Sequence, residues 1–198
     1  MDNKIETKKG ISIVKLTNIP EELKTHKQWV AWKAVPNNNG KITKIPVNSN
    51  TGGNASPTNP ATWVTFEDAC TYYAQHKDNG IAGIGFVFTQ NDPFCGVDLD
   101  DCRDPKTGQF EDRAVDILKD LNSYCEISPS DTGVKIFLKG NLRGHGRNFG
   151  NVEMYDTGRF FTLTGETFNG YPKTIEDRSA ERHSPPLHQT VQCDNFNR

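Results

Sequence analysis

Gly96-Val97-Asp98-Leu99-Asp100-Asp101 sets two carboxylates one residue apart inside an otherwise apolar run. A strand turns successive side chains to opposite faces. Asp98 and Asp100 are therefore expected on one side, close together, with Val97 and Leu99 facing the other way. Like charges held side by side repel, and the arrangement is stable where a cation sits between them or water bathes both. A divalent metal is the sharper of those two readings.

Working outward, Gly83-Ile84-Gly85-Phe86-Val87-Phe88-Thr89 reads as a buried strand. Gln90-Asn91-Asp92-Pro93 turns the chain toward the acidic strand, so the two are expected to pair antiparallel. Further upstream, Ile19-Pro20-Glu21-Glu22-Leu23 has the proline and first-turn acids of a helix start. It leads into the alternating aromatic strand Gln28-Trp29-Val30-Ala31-Trp32-Lys33, with a hairpin partner from Lys41 to Val47 across Asn37-Asn38-Asn39-Gly40. Residues 48–62 carry turn chemistry throughout. Thr65 then caps a helix whose apolar face is Phe66, Ala69, Cys70 and Tyr73 and which fades near Lys77.

Downstream, Ala114, Val115, Ile117, Leu118 and Leu121 fit a helix packed on a sheet. Strands follow at Tyr124–Ile127, Val134–Leu138, Val152–Tyr155 and Phe160–Thr164, and after Gly170 the periodic apolar pattern is lost. The class is α+β.

The 198 residues are enough for one domain with a sizeable core. With 34% hydrophobic residues, 17 Gly and 11 Pro, the composition is that of a loop-rich globular protein rather than a helical bundle. No apolar run is long enough to span a bilayer, and the first residues lack the apolar core of a secretion signal, so the expected location is the cytoplasm, with no membrane partner. Cys70, Cys95, Cys102, Cys125 and Cys193 form an odd set without a Cys-x-x-Cys pair, so neither a disulfide framework nor a zinc ribbon is indicated and most are expected as buried apolar residues. None of the five His residues stands near a serine or cysteine in a nucleophile-and-base arrangement. The net charge of −2 hides an uneven distribution. Residues 1–48 hold nine Lys/Arg against four Asp/Glu, residues 66–131 five against fourteen, and residues 132–159 five against two. Basic flanks around an acidic centre suit a carboxylate site set among phosphate-holding cations. On charge alone, solvated surfaces with a local bias are the favoured reading.

Two more elements fall beside the Asp98/Asp100 strand. The turn Ser128-Pro129-Ser130-Asp131-Thr132-Gly133 enters the strand bearing Lys135, and Val152-Glu153-Met154-Tyr155 offers a third carboxylate. Mg²⁺ or Mn²⁺ prefers hard oxygen ligands and keeps open positions for substrate phosphates. The turn's hydroxyls and backbone amides can hold phosphate oxygens, and Lys135 can add a point charge. Nucleotidyl transfer is the natural reaction. Taken singly, an Asp-x-Asp is also a solvated hairpin edge, the serine turn a tight turn, and Glu153 a wet-face residue. The conjunction is what points to chemistry.

The order of these segments, Gly-Ile-Gly-Phe-Val-Phe-Thr, then Asp-Pro-Phe-Cys-Gly-Val-Asp-Leu-Asp-Asp-Cys, then Glu-Ile-Ser-Pro-Ser-Asp-Thr-Gly-Val-Lys-Ile-Phe, then Val-Glu-Met-Tyr-Asp-Thr-Gly-Arg-Phe-Phe-Thr-Leu-Thr-Gly, resembles phage- and plasmid-borne primase-polymerases of the archaeo-eukaryotic primase superfamily. The upstream Lys-Gln-Trp-Val-Ala-Trp-Lys and Thr-Lys-Ile-Pro-Val-Asn segments are similar too, and the likeness covers about residues 27–170. It implies a small mixed sheet like an RNA-recognition module joined to an N-terminal α/β unit. The corresponding division is an extension over 1–18, a catalytic domain over 19–170 and a polar, mobile tail over 171–198.

The resemblance further implies that Asp98, Asp100 and Glu153 ligate Mg²⁺ or Mn²⁺, and that Ser128 and Ser130 receive a nucleoside triphosphate. Arg159 and Lys44 would contact phosphate or a single-stranded DNA template, onto which Trp29, Trp32 and Trp63 could stack unless they are core residues. Where the family's second motif usually ends in a histidine, this chain has Lys135. A lysine still supplies a cationic donor but positions phosphate less sharply. Such proteins commonly continue into a helicase, yet no Gly-x-x-x-x-Gly-Lys-Ser/Thr loop exists in this sequence, so a separate helicase or a longer parent chain is expected. A non-catalytic single-strand or origin-binding module, and a nuclease using the same ions, are the competing readings.

Overall fold

The computed structural model describes residues 13–39, 41–142 and 147–179. Most of the expected N-terminal extension, and the polar tail from residue 180 onward, lie outside the described residues.

The chain forms two sheets. Strands β1 (Trp29–Pro36) and β2 (Ile42–Val47) make the expected hairpin, from Ala31 opposite Val47 to Pro36 opposite Ile42. After the short helix α1 (Glu21–Lys24) and the helix α2 (Phe66–His76) come β3 (Ile81–Phe88) and β4 (Phe94–Leu99), then helix α3 (Asp112–Leu121). The remaining strands are β5 (Cys125–Ile127), β6 (Val134–Lys139), β7 (Arg147–Asn148), β8 (Val152–Tyr155), β9 (Arg159–Leu163) and β10 (Glu176–Asp177). One sheet runs β2-β1-β3-β9 and the other β10-β6-β4-β8-β7, with β5 also paired to β6. Every pairing is antiparallel except that of β10 with β6. Thr65 caps α2 as its spacing predicts, its hydroxyl accepting the Asp68 N–H at 3.2 Å.

The expected pairing of β3 with β4 does not occur. Both edges of β3 are taken by β1 and β9, and both edges of β4 by β6 and β8. The intervening turn is organised by Asp92 rather than by a hairpin ladder. Its Oδ2 accepts Thr89 N–H at 2.8 Å, Thr89 Oγ1–H at 2.9 Å and Gln28 Nε2–H at 2.7 Å, while Oδ1 accepts Phe94 N–H at 2.8 Å. With those donors bound to one side chain, the chain crosses from one sheet to the other. The link between β8 and β9 makes the same crossing in the opposite sense.

Alternation along the strands then sorts the residues. On the six-stranded sheet, Cys95, Val97 and Leu99 of β4, Val134, Ile136 and Leu138 of β6, and Val152 and Met154 of β8 share one core with Ala114, Ile117, Leu118 and Leu121 of α3. The opposite face meets the four-stranded sheet through an aromatic core that includes Phe86, Phe88, Phe94, Tyr124, Phe137 and Phe161. Gly96 lies under the Phe161 ring, where a Cβ would stand 2.3 Å from the nearest ring carbon, so only glycine admits this approach. Packing extends past both ends of the patterned region, with Val14 and Ile175 in the same core and β10 in parallel register with Leu138 and Lys139. Among the described residues no helix is long and apolar enough to cross a membrane.

Candidate active site

The face of the six-stranded sheet that looks toward the other sheet carries a row of charges in register. Asp98 on β4 lies directly opposite Lys135 on β6 and Glu153 on β8, and Lys135 lies opposite Glu126 on β5. Residues directly opposite on a sheet hold their Cβ atoms about 5 Å apart, so the row Glu126, Lys135, Asp98, Glu153 is continuous across four strands. Val97 and Leu99 point into the α3 core, as the alternation requires.

Asp98 Oδ2 accepts the Lys135 Nζ ion pair, whereas its Oδ1 is buried with no hydrogen-bond partner. Lys135 is 3% exposed, and its ammonium also lies 4.3 Å from the centre of the Phe161 ring. It does not alternate out to water. Glu153 is held at both oxygens, Oε1 accepting Asn148 Nδ2–H at 2.7 Å and Oε2 the Tyr155 hydroxyl at 3.1 Å. Asp100 sits one residue past the end of β4, its N–H bonded to Asn151 O at 2.8 Å. Burial and the neighbouring Asp98 charge push the Asp100 carboxyl above the ordinary carboxylate range. Lys135 and Lys44 oppose that rise, and Glu153 adds to it. Lys44 reaches this field from β2 of the other sheet. Burial and then Lys135 lower its ammonium's pKa, against Asp98 and Asp100. Arg159 stands at the margin, with its guanidinium carbon 4.8 Å from the Tyr155 ring centre.

Ser128 and Ser130 lie on a tight turn docked against the end of β4. Ser128 Oγ is 2.9 Å from Ser130 Oγ and accepts Gly133 N–H at 3.2 Å, and Ser130 Oγ is 3.0 Å from Thr132 Oγ1. A Cβ on Gly133 would come within 2.5 Å of Leu99 O and 3.5 Å of Asp100 Cα, so this glycine lets the turn reach the carboxylates. Arg103 clamps it from outside, donating through Nη1 to Asp131 Oδ1 at 2.6 Å and Asp131 O at 2.8 Å, while the N–H groups of Cys102 and Arg103 bond to Thr132 O at 2.9 and 3.0 Å. Asp131 takes φ +64°, the left-handed region that a short polar side chain tolerates.

Among the described residues, no group of three His, Cys, Asp or Glu side chains is arranged around a common point. Asp98 is turned to Lys135, and Glu153 to Asn148 and Tyr155. The donor chemistry nevertheless fits a hard cation: three carboxylates share one field, and one buried oxygen of Asp98 has no partner. The three tryptophans do not offer stacking faces. Trp29, Trp32 and Trp63 are 0%, 2% and 5% exposed, because their side chains belong to the core.

Sequence reasoning missed Glu126, Tyr124 and Arg103. Glu126 precedes Ile127 and Ser128 in a strand whose other side chains are apolar, and that lone acid in a three-residue strand was the available signal.

An acidic row on an antiparallel sheet, with a hydroxyl turn and two lysines gathered over it, belongs here to a primase-polymerase domain, and the chain carries one. It is 37% identical over 154 residues to the DNA primase-polymerase of Nitratiruptor phage NrS-1, a match covering 75% of this chain and 20% of the phage protein. The chain thus spans about a fifth of the length of the curated relative it matches. No family model matches it.

Proposed function

We propose that this domain is a metal-dependent nucleotidyltransferase that primes or extends DNA on a single-stranded template, acting in replication of a phage, plasmid or other mobile element. The observation that carries this reading is the in-register row with the unpartnered Oδ1 of Asp98 at its centre. Asp98, Asp100 and Glu153 hold Mg²⁺ or Mn²⁺. When bound, such ions supply neutralisation of phosphate charge and activation of the attacking hydroxyl. The chain's own groups do the positioning. Ser128 and Ser130, with the turn's backbone amides, receive the triphosphate of the incoming nucleotide. Lys135 turns its ammonium from Asp98 to a phosphate oxygen, and Lys44 and Arg159 add charge along the phosphate or template path. The primer's 3′ oxygen bonds to the α-phosphorus, the bond to the β-phosphate bridging oxygen breaks, pyrophosphate leaves with that electron pair, and the hydroxyl proton passes to solvent.

In this reading the six-stranded sheet with α3 is the RRM-like catalytic subdomain, and the four-stranded sheet with α2 is the N-terminal unit, within a domain spanning 19–170. A helicase acts from a separate chain or from a further part of a longer one. A second reading, a single-strand or origin-binding module without catalysis, is favoured by one observation: Asp98 and Glu153 are already engaged by neighbouring side chains.

A labelled primer on a longer template, with nucleotides and Mn²⁺, separates these readings. Extension that is lost in Asp100→Asn, a change that breaks no ion pair, with template binding retained, is the expected result. Template binding with no product identifies the binding module, and shortening of the labelled strand identifies a nuclease.

A further inference from the structure

Among the described residues, the charged side chains that are buried are Glu126, at 0% exposure, and Lys135, at 3%, and these two face one another across β5 and β6. They do not pair. Lys135 gives its ammonium to Asp98, while the Glu126 carboxylate is held by three donors: Thr164 N–H to Oε1 at 2.8 Å, Gly165 N–H to Oε2 at 2.9 Å and the Tyr124 hydroxyl to Oε2 at 2.8 Å. Three donors fix the position of that acid, and Thr164 Oγ1–H to Ile127 O at 2.7 Å ties the same segment to the residue before Ser128.

An ammonium on a flexible stem therefore lies between a fixed carboxylate and Asp98, with Lys44 close enough to repel it. Bridging the Thr164–Gly165 turn to β5 requires only an acceptor, which an uncharged side chain provides. A buried negative charge is an unfavourable way to make that bridge unless a cation benefits from it, and the cation in register is Lys135. When Asp98 turns its oxygens to another partner, the ammonium keeps the Phe161 ring, 4.3 Å away, and the in-register Glu126 beside it, within the field of Asp100 and Lys44.

Resting on the nucleotidyltransferase reading above, we infer that Glu126 is a positioning residue: a fixed anion that holds the Lys135 ammonium in the row, from where it binds the triphosphate of the incoming nucleotide. Burial pushes the Glu126 carboxyl up to about 7, against the three donors and Lys135, so the anion is the form present on the alkaline side.

The test is a double-mutant cycle on binding of a fluorescent non-hydrolysable nucleoside triphosphate with Mn²⁺ at about pH 8, above the carboxyl's midpoint. Wild type, Glu126→Gln, Lys135→Met and the double variant are compared at a temperature where circular dichroism shows all four folded. Expected is a loss of about tenfold in affinity for Glu126→Gln in the wild-type background and less than about twofold in the Lys135→Met background. Equal factors in both backgrounds make Glu126 a purely structural acid and overturn the inference. Absence of nucleotide binding by wild type overturns the underlying reading instead. Should Glu126→Gln not fold, ¹³C carboxyl titration of Glu126 decides. Its midpoint rises by about half a unit or more in Lys135→Met if the two charges are coupled, and an unmoved midpoint refutes the coupling.

Discussion

Breaking the Asp98–Lys135 pair from one side leaves a buried charge without a partner, and the structure sets the size of that loss. The side chains are 14% and 4% exposed, too little for water to replace either partner. Asp98 already has one unsatisfied oxygen, with Asp100 beside it and Glu153 opposite. Removing the cation by Lys135→Met strands that carboxylate, and Asp98→Asn leaves the ammonium without its ion pair, near Lys44 and with only the unpaired Glu126 facing it in register. Each single change is expected to lower stability by about 3–5 kcal/mol, the range for uncompensated members of buried pairs. The double variant Asp98→Asn/Lys135→Met leaves neither charge exposed to the other's absence. It is expected to lose about 2–3 kcal/mol less than the sum of the singles. Urea unfolding reads this directly: at a slope of about 2 kcal/mol/M, each single variant's midpoint falls by about 2 M. On the proposed metal-dependent reading, Mg²⁺ adds a sharper signature: an ion at the carboxylates would replace the missing ammonium and restore part of the loss in Lys135→Met but not in Asp98→Asn. Singles within about 0.5 kcal/mol of wild type, or a strictly additive double, would refute the claim that this pair is a buried, mutually dependent unit.

Three further outcomes are expected. Gly96→Ala drives a methyl to 2.3 Å from the Phe161 ring, and overpacking of about 1–3 kcal/mol follows; Phe161→Leu in the same chain relieves part of it in thermal unfolding, and failure of that relief would mean the sheets can separate freely here. Glu126 gives a pH dependence of definite sign. Its carboxyl is raised from 4.5 to about 7 on folding, so the folded form binds the extra proton. This group's contribution is greatest below about 4.5 and declines as pH rises toward about 7, by at most about 3 kcal/mol. The difference in urea stability between wild type and Glu126→Gln should slope downward over that interval, and a flat difference contradicts the assignment. Lys135→His exchanges a flexible ammonium for a shorter, planar donor; primer synthesis is expected to rise severalfold with nucleotide affinity little changed, and no change in either removes Lys135 from the site.

Much of this was legible in the sequence because strand alternation is a local rule. It set Asp98 opposite in sense to Val97 and Leu99, and Glu153 opposite in sense to Val152 and Met154, and the structure puts the apolar members of both sets against α3. The cap at Thr65 and the Asn37–Lys41 hairpin were equally local. Strand partnership was not. Asp92-Pro93 reads as a hairpin turn on composition, but a carboxylate that binds Thr89, Gln28 and Phe94 makes a crossing between sheets, and Gln28 lies 64 residues away. Strand β10 was missed for a related reason. Two residues in parallel register with β6 carry no periodicity of their own. Glu126 escaped because an acid between apolar neighbours reads as a wet-face residue until its three donors, two of them nearly forty positions distant, are known.

The charged row also explains why so unfavourable a set of side chains specifies a single fold. A one-residue slip of any strand carries its side chains to the opposite face. A slip of β8 by one would drive Glu153 into the α3 core and Met154 out of it, and a slip of β6 would bury Lys135 among Ala114, Ile117 and Leu118 with no anion in reach. Each misregister therefore costs a lone charge in an apolar layer, several kcal/mol by any ordinary reckoning of ion transfer, on top of the lost packing. The native register is the arrangement in which negative, positive, negative and negative charges stand in order from Glu126 to Glu153, with the aromatic core beside them and the aliphatic core behind. The ordering that sets Asp98 between Lys135 and Glu153 is thus the same ordering that excludes competing strand alignments.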